Sequence, residues 1–326
     1  MRVDQLTVDF CRLWGGESFA DWPCVFIEGG ESSFPSERIV LPPCPVVQIG
    51  DSFSSLASHV DAVVSDNAVA EKLVAAIGAQ SRAAEVVVGL LRCLPALSLE
   101  QGLIAESLAY GVLQAGADHA AWLAARKAEL ASAPGLVRTR RDGESLSIML
   151  DRPWADNAID RPMRDGLAQA LELAVLDPAI RRVSLRGSGR SFSLGADLSE
   201  FGTTRDPAEA HYIRQRTLPA RWAARCSNKL EAHIHGACVG SGLELVAFAG
   251  RITASSRAWF QLPELAMGIL PGAGGCVSLT RRIGRQRTAR LILTGERISA
   301  RVALDWGLID AIVDDPAIND GSPHEA

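Results

Sequence analysis

Apolar residues change their spacing three times along the chain, and each change marks a different kind of structure. Up to about residue 50 they come in short runs, Pro23 to Ile27 and Pro45 to Ile49, between Gly, Pro and Ser clusters. Turn-bounded runs of that length predict irregular structure with two short strands. From Ser54 to about Glu129 the texture becomes alanine- and leucine-rich with few breakers, and Val86, Val87, Leu90, Leu91 and Leu94 recur at helical spacing. Three or four packed helices follow from that periodicity. One is marked at its start by Ser98-Leu-Glu-Gln101, a capping box in which each side chain can satisfy the other residue's free backbone N–H, and it runs towards Ala115.

Ala131-Ser-Ala-Pro-Gly135 ends the helical texture, and a boundary is placed near residue 133. Beyond it the period drops to two, with Val137, an Asp142-Gly143 turn, then Leu146, Ile148 and Leu150, which predicts a hairpin. A loop at Asp151 to Asn157 leads to a helix over 160–176, whose apolar face carries Met163, Leu167, Leu171, Leu173 and Ala174, and then to a strand at Ile180 to Leu185. Strand, glycine turn and helix recur at 183–200, 230–249 and 266–282 without a fixed-period repeat, which predicts an α/β layered fold with crossover connections. The expected organisation is an N-terminal region over 1–133 (irregular over 1–50, helical over 54–129), an α/β unit over 134–313 and a short tail over 314–326.

Composition narrows the classes. With 48% hydrophobic and 22% charged residues in 326, the chain has enough apolar material for a large core and is not a disordered protein. A net charge of −5 implies no nucleic-acid partner. Only three of the 33 basic residues are lysines, and the arginine clusters at 138–141 and 281–290 read as solvated surface in preference to phosphate sites. Seven scattered cysteines without a C-x-x-C pair predict reduced, mostly buried thiols and no metal site. No apolar run is long enough to be a secretory leader or to span a bilayer, so a cytoplasmic location without membrane attachment is expected.

Candidate chemistry concentrates in two glutamates twenty positions apart. Glu244 ends Gly236-Ala-Cys-Val-Gly-Ser-Gly-Leu-Glu244, and Glu264 ends Phe260-Gln-Leu-Pro-Glu264. Two carboxyls in one cleft push their proton affinities apart, so that one serves as acid and the other as base. Taken singly, each would be read as a surface or capping residue. Asp197 is read as a cap on the turn that follows it, and His233 and His235, in an apolar strand without a nucleophile motif, as supporting residues.

Five motifs occur in order: Ser191-Phe-Ser-Leu-Gly-Ala-Asp-Leu198, His235 to Leu245, Phe260 to Glu264, Gly268-Ile-Leu-Pro-Gly-Ala-Gly-Gly275 and Thr294-Gly-Glu-Arg-Ile-Ser-Ala300. Together they resemble the enoyl-CoA hydratase/isomerase, or crotonase, family over about residues 136–313. The resemblance implies a crotonase-like ββα spiral core behind a mainly α-helical N-terminal region. It implies that the backbone N–H groups of Ala196 and Ser241 form an oxyanion hole for a thioester, with Ala196, Leu198, Gly240 and Ser241 binding the acyl-CoA. Ser241 stands where glycine is more usual, and its hydroxyl either crowds the acyl group or gives it a polar contact. Glu244 and Glu264 match the acid/base pair, which favours hydration of a 2-enoyl-CoA, or the reverse dehydration, over other enolate chemistry or thioester hydrolysis. Neither a metal nor an organic cofactor is implied, coenzyme A being part of the substrate. A homo-oligomer, trimer or hexamer, is implied as well.

The added N-terminal helices resemble the cofactor-independent dihydroxyphenylacetyl-CoA dioxygenase branch, whose members lack both glutamates. The short tail leaves open whether these helices replace the C-terminal helices that cover the acyl pocket in other crotonases. A noncatalytic interaction protein on the same scaffold is the reading from a different class.

Overall fold

The computed structural model describes residues 1–9, 12–13, 19, 21–28, 40–50, 55–126 and 133–313. The tail over 314–326, Cys11, the end of the expected helical region at 127–129 and part of the 131–135 breaker lie outside the described residues.

Four short strands, β1 (Thr7–Val8), β2 (Val25–Glu28), β3 (Val46–Ile49) and β4 (Ala62–Val64), form a parallel sheet in the order β1-β2-β3-β4. The two expected strands are its middle pair. β4 falls inside the stretch expected to be helical, because a three-residue strand carries too little alternation to stand out against alanine-rich neighbours. Helices α1 (Asn67–Ala79), α2 (Ser81–Cys93), α3 (Leu99–Gln114) and α4 (Ala117–Ala125) follow. Ser98 and Gln101 cap α3 reciprocally, at 3.3 and 3.0 Å. No single helix among the described residues is long and apolar enough to cross a membrane.

The second region opens with the predicted hairpin, β5 (Leu136–Asp142) against β6 (Ser145–Asp151), turning at Gly143 with φ +55°. Helix α5 (Arg161–Leu176) buries Met163, Leu167, Ala170, Leu171 and Ala174, whereas Leu173, expected on that face, is 47% exposed. At about 100° per residue, Leu173 lies roughly 160° round the helix from Leu171 and roughly 60° beyond Ala170, the edge of the buried arc. Next come β7 (Arg182–Gly187), α6 (Pro207–Thr217), α7 (Ala220–Arg225), β8 (Leu230–Ile234), β9 (Ala237–Val239) and α8 (Ser241–Val246). The chain continues through β10 (Arg251–Ser255), β11 (Trp259–Gln261), α9 (Gly275–Ile283), α10 (Arg285–Thr294), β12 (Ile298–Ser299), α11 (Ala300–Asp305) and β13 (Ala311–Val313).

These strands make a six-stranded sheet, β13-β10-β8-β7-β6-β5, and a three-stranded sheet, β12-β11-β9. Only the β5–β6 pair is antiparallel in the larger sheet, as crossover connections require. The chain therefore turns from one sheet to the other within a few residues, between β8 and β9 and again between β10 and β11. That change of sheet is what brings the glycine turn at 240 beside the start of α8.

The two regions share their interior. One apolar cluster runs from Val3 and Phe26 through Leu73, Leu91 and Leu103 to Leu185, Leu243, Ile292 and Ile309. Across this boundary Asp61, 1% exposed, accepts from Arg92 Nε at 2.9 Å, from Arg285 Nη1 at 2.8 Å and from Val46 N at 2.9 Å. The arginine cluster at 281–290 is thus only in part solvated surface: Arg281 and Arg287 are exposed, whereas the half-buried Arg285 pairs with Asp61, Arg282 with Asp310 and Arg290 with Glu296. Guanidinium groups suit such half-buried positions, since they fork between several acceptors and tolerate partial dehydration. Among the described cysteines all six are free, and all but Cys93 are buried.

Candidate active site

A cavity of about 810 Å3 lies between the two regions. From the α/β region it is lined by Gly195, Ala196, Leu198, Gly240, Ser241, Glu244 and Glu264, so every candidate site residue read from the sequence reaches one space. His233 and His235 do not line it; they hydrogen-bond Thr253 Oγ1 and the Gly189 carbonyl, both at 2.9 Å. Asp197 accepts from Ser199 N at 2.9 Å, capping the turn at Leu198–Glu200, and also from the buried Arg152, at 2.6 Å.

Local backbone explains the convergence. Gly240 has φ +49° and ψ −128°, a conformation barred to side-chain-bearing residues, and it turns the chain from β9 into α8. A Cβ there would also lie 2.7 Å from Glu264 Oε1. Ser241 is the first residue of α8, where N–H groups have no partner within the helix. The Gly195–Ala196 segment lies alongside: a Cβ on Gly195 would sit 3.5 Å from Ser241 N. Among the described residues neither Ala196 N–H nor Ser241 N–H donates to a protein acceptor. Two such amides facing a cavity can receive an oxygen that gains negative charge.

The carboxyls occupy contrasting surroundings. Glu244, 2% exposed, accepts from Ala273 N at 2.7 Å and Gly275 N at 2.9 Å on Oε2. Gly275 permits that approach, since a Cβ would come within 2.4 Å of Glu244 Cγ. Burial pushes the Glu244 carboxyl up to about 7, and the two amides restrain the rise. Glu264, 8% exposed, is pushed well above the ordinary carboxyl range by burial and then by the charge of Glu244. Its Oε2 has no hydrogen-bond partner, and neither has the buried Ser241 hydroxyl. Two orphaned polar atoms against one cavity fit a site awaiting a polar ligand.

Sequence reasoning left open whether the N-terminal helices cover the pocket and named none of their residues. Tyr110 and Gln114 of α3 and His119 of α4 line the cavity. Arg214 of α6 braces this wall: it stacks on Tyr110 at 4.5 Å, donates to Ser107 Oγ at 3.0 Å and to Gln114 Oε1 at 3.1 Å. His119 Nδ1 lies 2.8 Å from the Met267 carbonyl, and its ring stacks on Trp122. Also unread was Glu106, 2% exposed, which accepts from Gly274 N at 2.6 Å and Val277 N at 3.2 Å. A usable signal existed, because Gly102, Leu103, Glu106, Ser107 and Tyr110 repeat every three or four positions and place a carboxyl on the inward face of α3. Among the described residues no group of three His, Cys, Asp or Glu side chains could hold a metal ion.

The spiral of sheets, the oxyanion-type amide pair and the buried acids together define a crotonase-type fold and site. The sequence model of the enoyl-CoA hydratase/isomerase family matches residues 142–321, over half of the chain, and the protein belongs to that family. Among curated relatives, mevalonyl-coenzyme A hydratase of Beauveria bassiana is 33% identical over 177 residues, covering 52% of this chain and 63% of its own. The 2,3-dehydroadipyl-CoA hydratase of Escherichia coli is 34% identical over 174 residues, covering 53% and 67%. This chain spans about two thirds or less of the length of such relatives. Among solved structures, a Thermobifida fusca protein in complex with acetoacetyl-CoA is 27% identical with a TM-score of 0.51, covering 55% of this chain and 74% of its own. An enoyl-CoA hydratase/carnithine racemase from Magnetospirillum magneticum is 28% identical with the same TM-score, covering 55% and 68%.

Proposed function

We propose that the protein adds water to a 2-enoyl thioester of coenzyme A, or catalyses the reverse dehydration, with Glu244 as base and Glu264 as acid. The observation that carries this reading is the burial of both carboxyls in the cavity that the Ala196 and Ser241 amides face. An isomerase or hydrolase needs one acid–base group, whereas addition of water across a double bond needs a proton removed from water and another delivered to carbon.

The division of labour follows from the surroundings. Glu244 is held by two N–H donors, which favour its charged form, and it takes a proton from water as the oxygen attacks the β-carbon. Electron density moves through the double bond into the thioester carbonyl, whose oxygen is received by the two free amides at the start of α8 and at Ala196. Glu264, with nothing to support a charge on Oε2, holds its proton and passes it to the α-carbon as the carbonyl re-forms. Restoring the starting protonation moves one proton from Glu244 to Glu264, directly or by exchange of one proton each with solvent. The Ser241 hydroxyl lies beside the oxyanion amide with no protein partner and is assigned a polar contact to the acyl group.

Loss of absorbance from crotonyl-CoA and cinnamoyl-CoA tests the reading. Glu244→Gln and Glu264→Gln should each reduce turnover by roughly 10²–10⁴-fold with folding intact. Near-normal turnover in either variant overturns the roles given. Oxygen uptake with an arylacetyl-CoA, without loss of the enoyl band, would select carbanion oxygenation. Failure to bind any acyl-CoA would leave a noncatalytic scaffold.

A further inference from the structure

Four consecutive interactions at the start of α9 alternate between two carboxyls. Ala273 N and Gly275 N donate to Glu244, and Gly274 N and Val277 N donate to Glu106. Glu244 comes from α8 and the family-matched region; Glu106 comes from α3, outside it. The turn at 273–277 is therefore clamped from both sides, and neither carboxyl can shift without moving the peptide units that hold the other. Both are 2% exposed, so bulk solvent screens one from the other only weakly.

We propose that Glu106 is a positioning residue for Glu244: from the N-terminal helices it fixes the turn whose amides orient the Glu244 carboxyl. The ionisable groups facing this pair are Arg214 from α6, which bears on Glu106 with opposite charge, Cys276 from α9, Glu264 from the turn at Glu264–Met267 and Tyr110 from α3 itself. Arg214 is the sole cation of the four. It is spread over Ser107, Gln114 and the Tyr110 ring, so the balance around Glu106 and Glu244 is left to repulsion between acids. Burial and the charge of Glu244 push Glu106 well above the ordinary range, and its amide donors oppose that. The charge of Glu244 thus keeps the proton on Glu106, which serves the turn as an uncharged acceptor. This inference adds a third acid to the two that the hydration reading uses, and its kinetic test rests on that reading.

The kinetic test compares the pH dependence of kcat/KM for the wild type and Glu106→Gln with crotonyl-CoA. Glutamine keeps the shape and one acceptor but turns an NH2 group towards one of the turn's amides, while the acid limb, which belongs to Glu244, should keep its pH. At the optimum, kcat should fall at least roughly tenfold while KM changes less than about threefold, because a loosened turn misplaces the base without touching the acyl-binding wall. An unchanged kcat, even with reduced stability, overturns the proposal and leaves Glu106 a helix cap.

An infrared titration of buried carboxyl bands serves if Glu106→Gln does not fold or if no enoyl-CoA is turned over. Glu264→Gln should show two coupled steps. Adding Glu244→Gln should leave a single step, for Glu106, below the upper of the two. Independent steps that stay in place sink the proposal whatever reaction the protein performs. Absence of turnover with coupled steps present sinks the hydration reading and leaves the coupling standing.

Discussion

The α/β region and the N-terminal helices bring different atoms to the same cavity. The former presents peptide N–H groups at Ala196 and Ser241 and carboxyls at Glu244 and Glu264, each placed by a glycine turn and a change of sheet. The helices present side chains on regular turns, Tyr110, Gln114 and His119, placed by packing alone. Groups of the first kind are fixed by local covalent geometry and tolerate no substitution at the glycines. Those of the second kind depend on how one region docks against another, and can be exchanged while the backbone stays put. On the proposed hydration reading, the chemistry belongs to the first set and the shape offered to an acyl group to the second.

The comparison is broken most severely at the docking contact. Asp61→Ala leaves Arg92 and Arg285 without their shared carboxylate in a half-buried setting. Removing one partner of a buried charge network costs roughly 3–5 kcal/mol, so urea or thermal unfolding should show a loss on that scale. Activity should fall with it as the helical wall loosens. An unchanged midpoint would mean that the regions are held by the apolar core alone.

Next comes the energetic burden of the catalytic half. A carboxyl raised from 4.5 to about 7 by burial binds its proton more tightly in the folded chain, so folding stability is full below about pH 4.5 and declines as pH rises to about 7. Glu244→Gln removes that decline. The variant should be more stable than the wild type by up to about 3 kcal/mol above pH 7, with the difference vanishing towards pH 4.5, in urea denaturation across that range. A constant difference at all pH values would show that Glu244 carries no raised proton affinity.

The close approach at Gly275 sharpens the first kind of placement. In Gly275→Ala the new methyl collides with Glu244 Cγ, so kcat should drop about 10²-fold through misplacement of the base, with substrate affinity little changed. The smallest effect belongs to the wall. Tyr110→Ala opens space in that wall and should shift the preference towards bulkier acyl groups by about tenfold in kcat/KM, since a pocket contact of this kind contributes roughly 1–3 kcal/mol. Equal losses for small and large acyl groups would mean that Tyr110 props the fold and does not shape the pocket.

The same contrast explains how much was legible in the sequence. Motifs over 191–300 locate the oxyanion-type amides and both glutamates because glycine turns and their following acids are consecutive in the chain. The crotonase-like fold and the cap at Ser98 are legible for the same local reason. Tyr110 and His119 carry no such mark, since an aromatic residue on a helix reads as core until its opposite wall is known. Glu106 lies between these cases: its place on the inward face of α3 is periodic, but its partners Gly274 and Val277 are not foreseeable from spacing. The two-residue β1 and three-residue β4 escape for want of length, and the inward pairing of Arg282, Arg285 and Arg290 because charge runs usually meet water.

Glu106 and Gly274 are separated by 168 positions and Asp61 and Arg285 by 224. Contacts so distant along the chain form late, because the entropy of closing such loops must be overcome before the bonds reward it. During synthesis the helical region emerges with its acid-bearing face uncovered and stays so until α9 and α10 have left the ribosome. For that interval the future cavity wall is an exposed apolar surface, and the ribosome-bound chain is a natural client for chaperones.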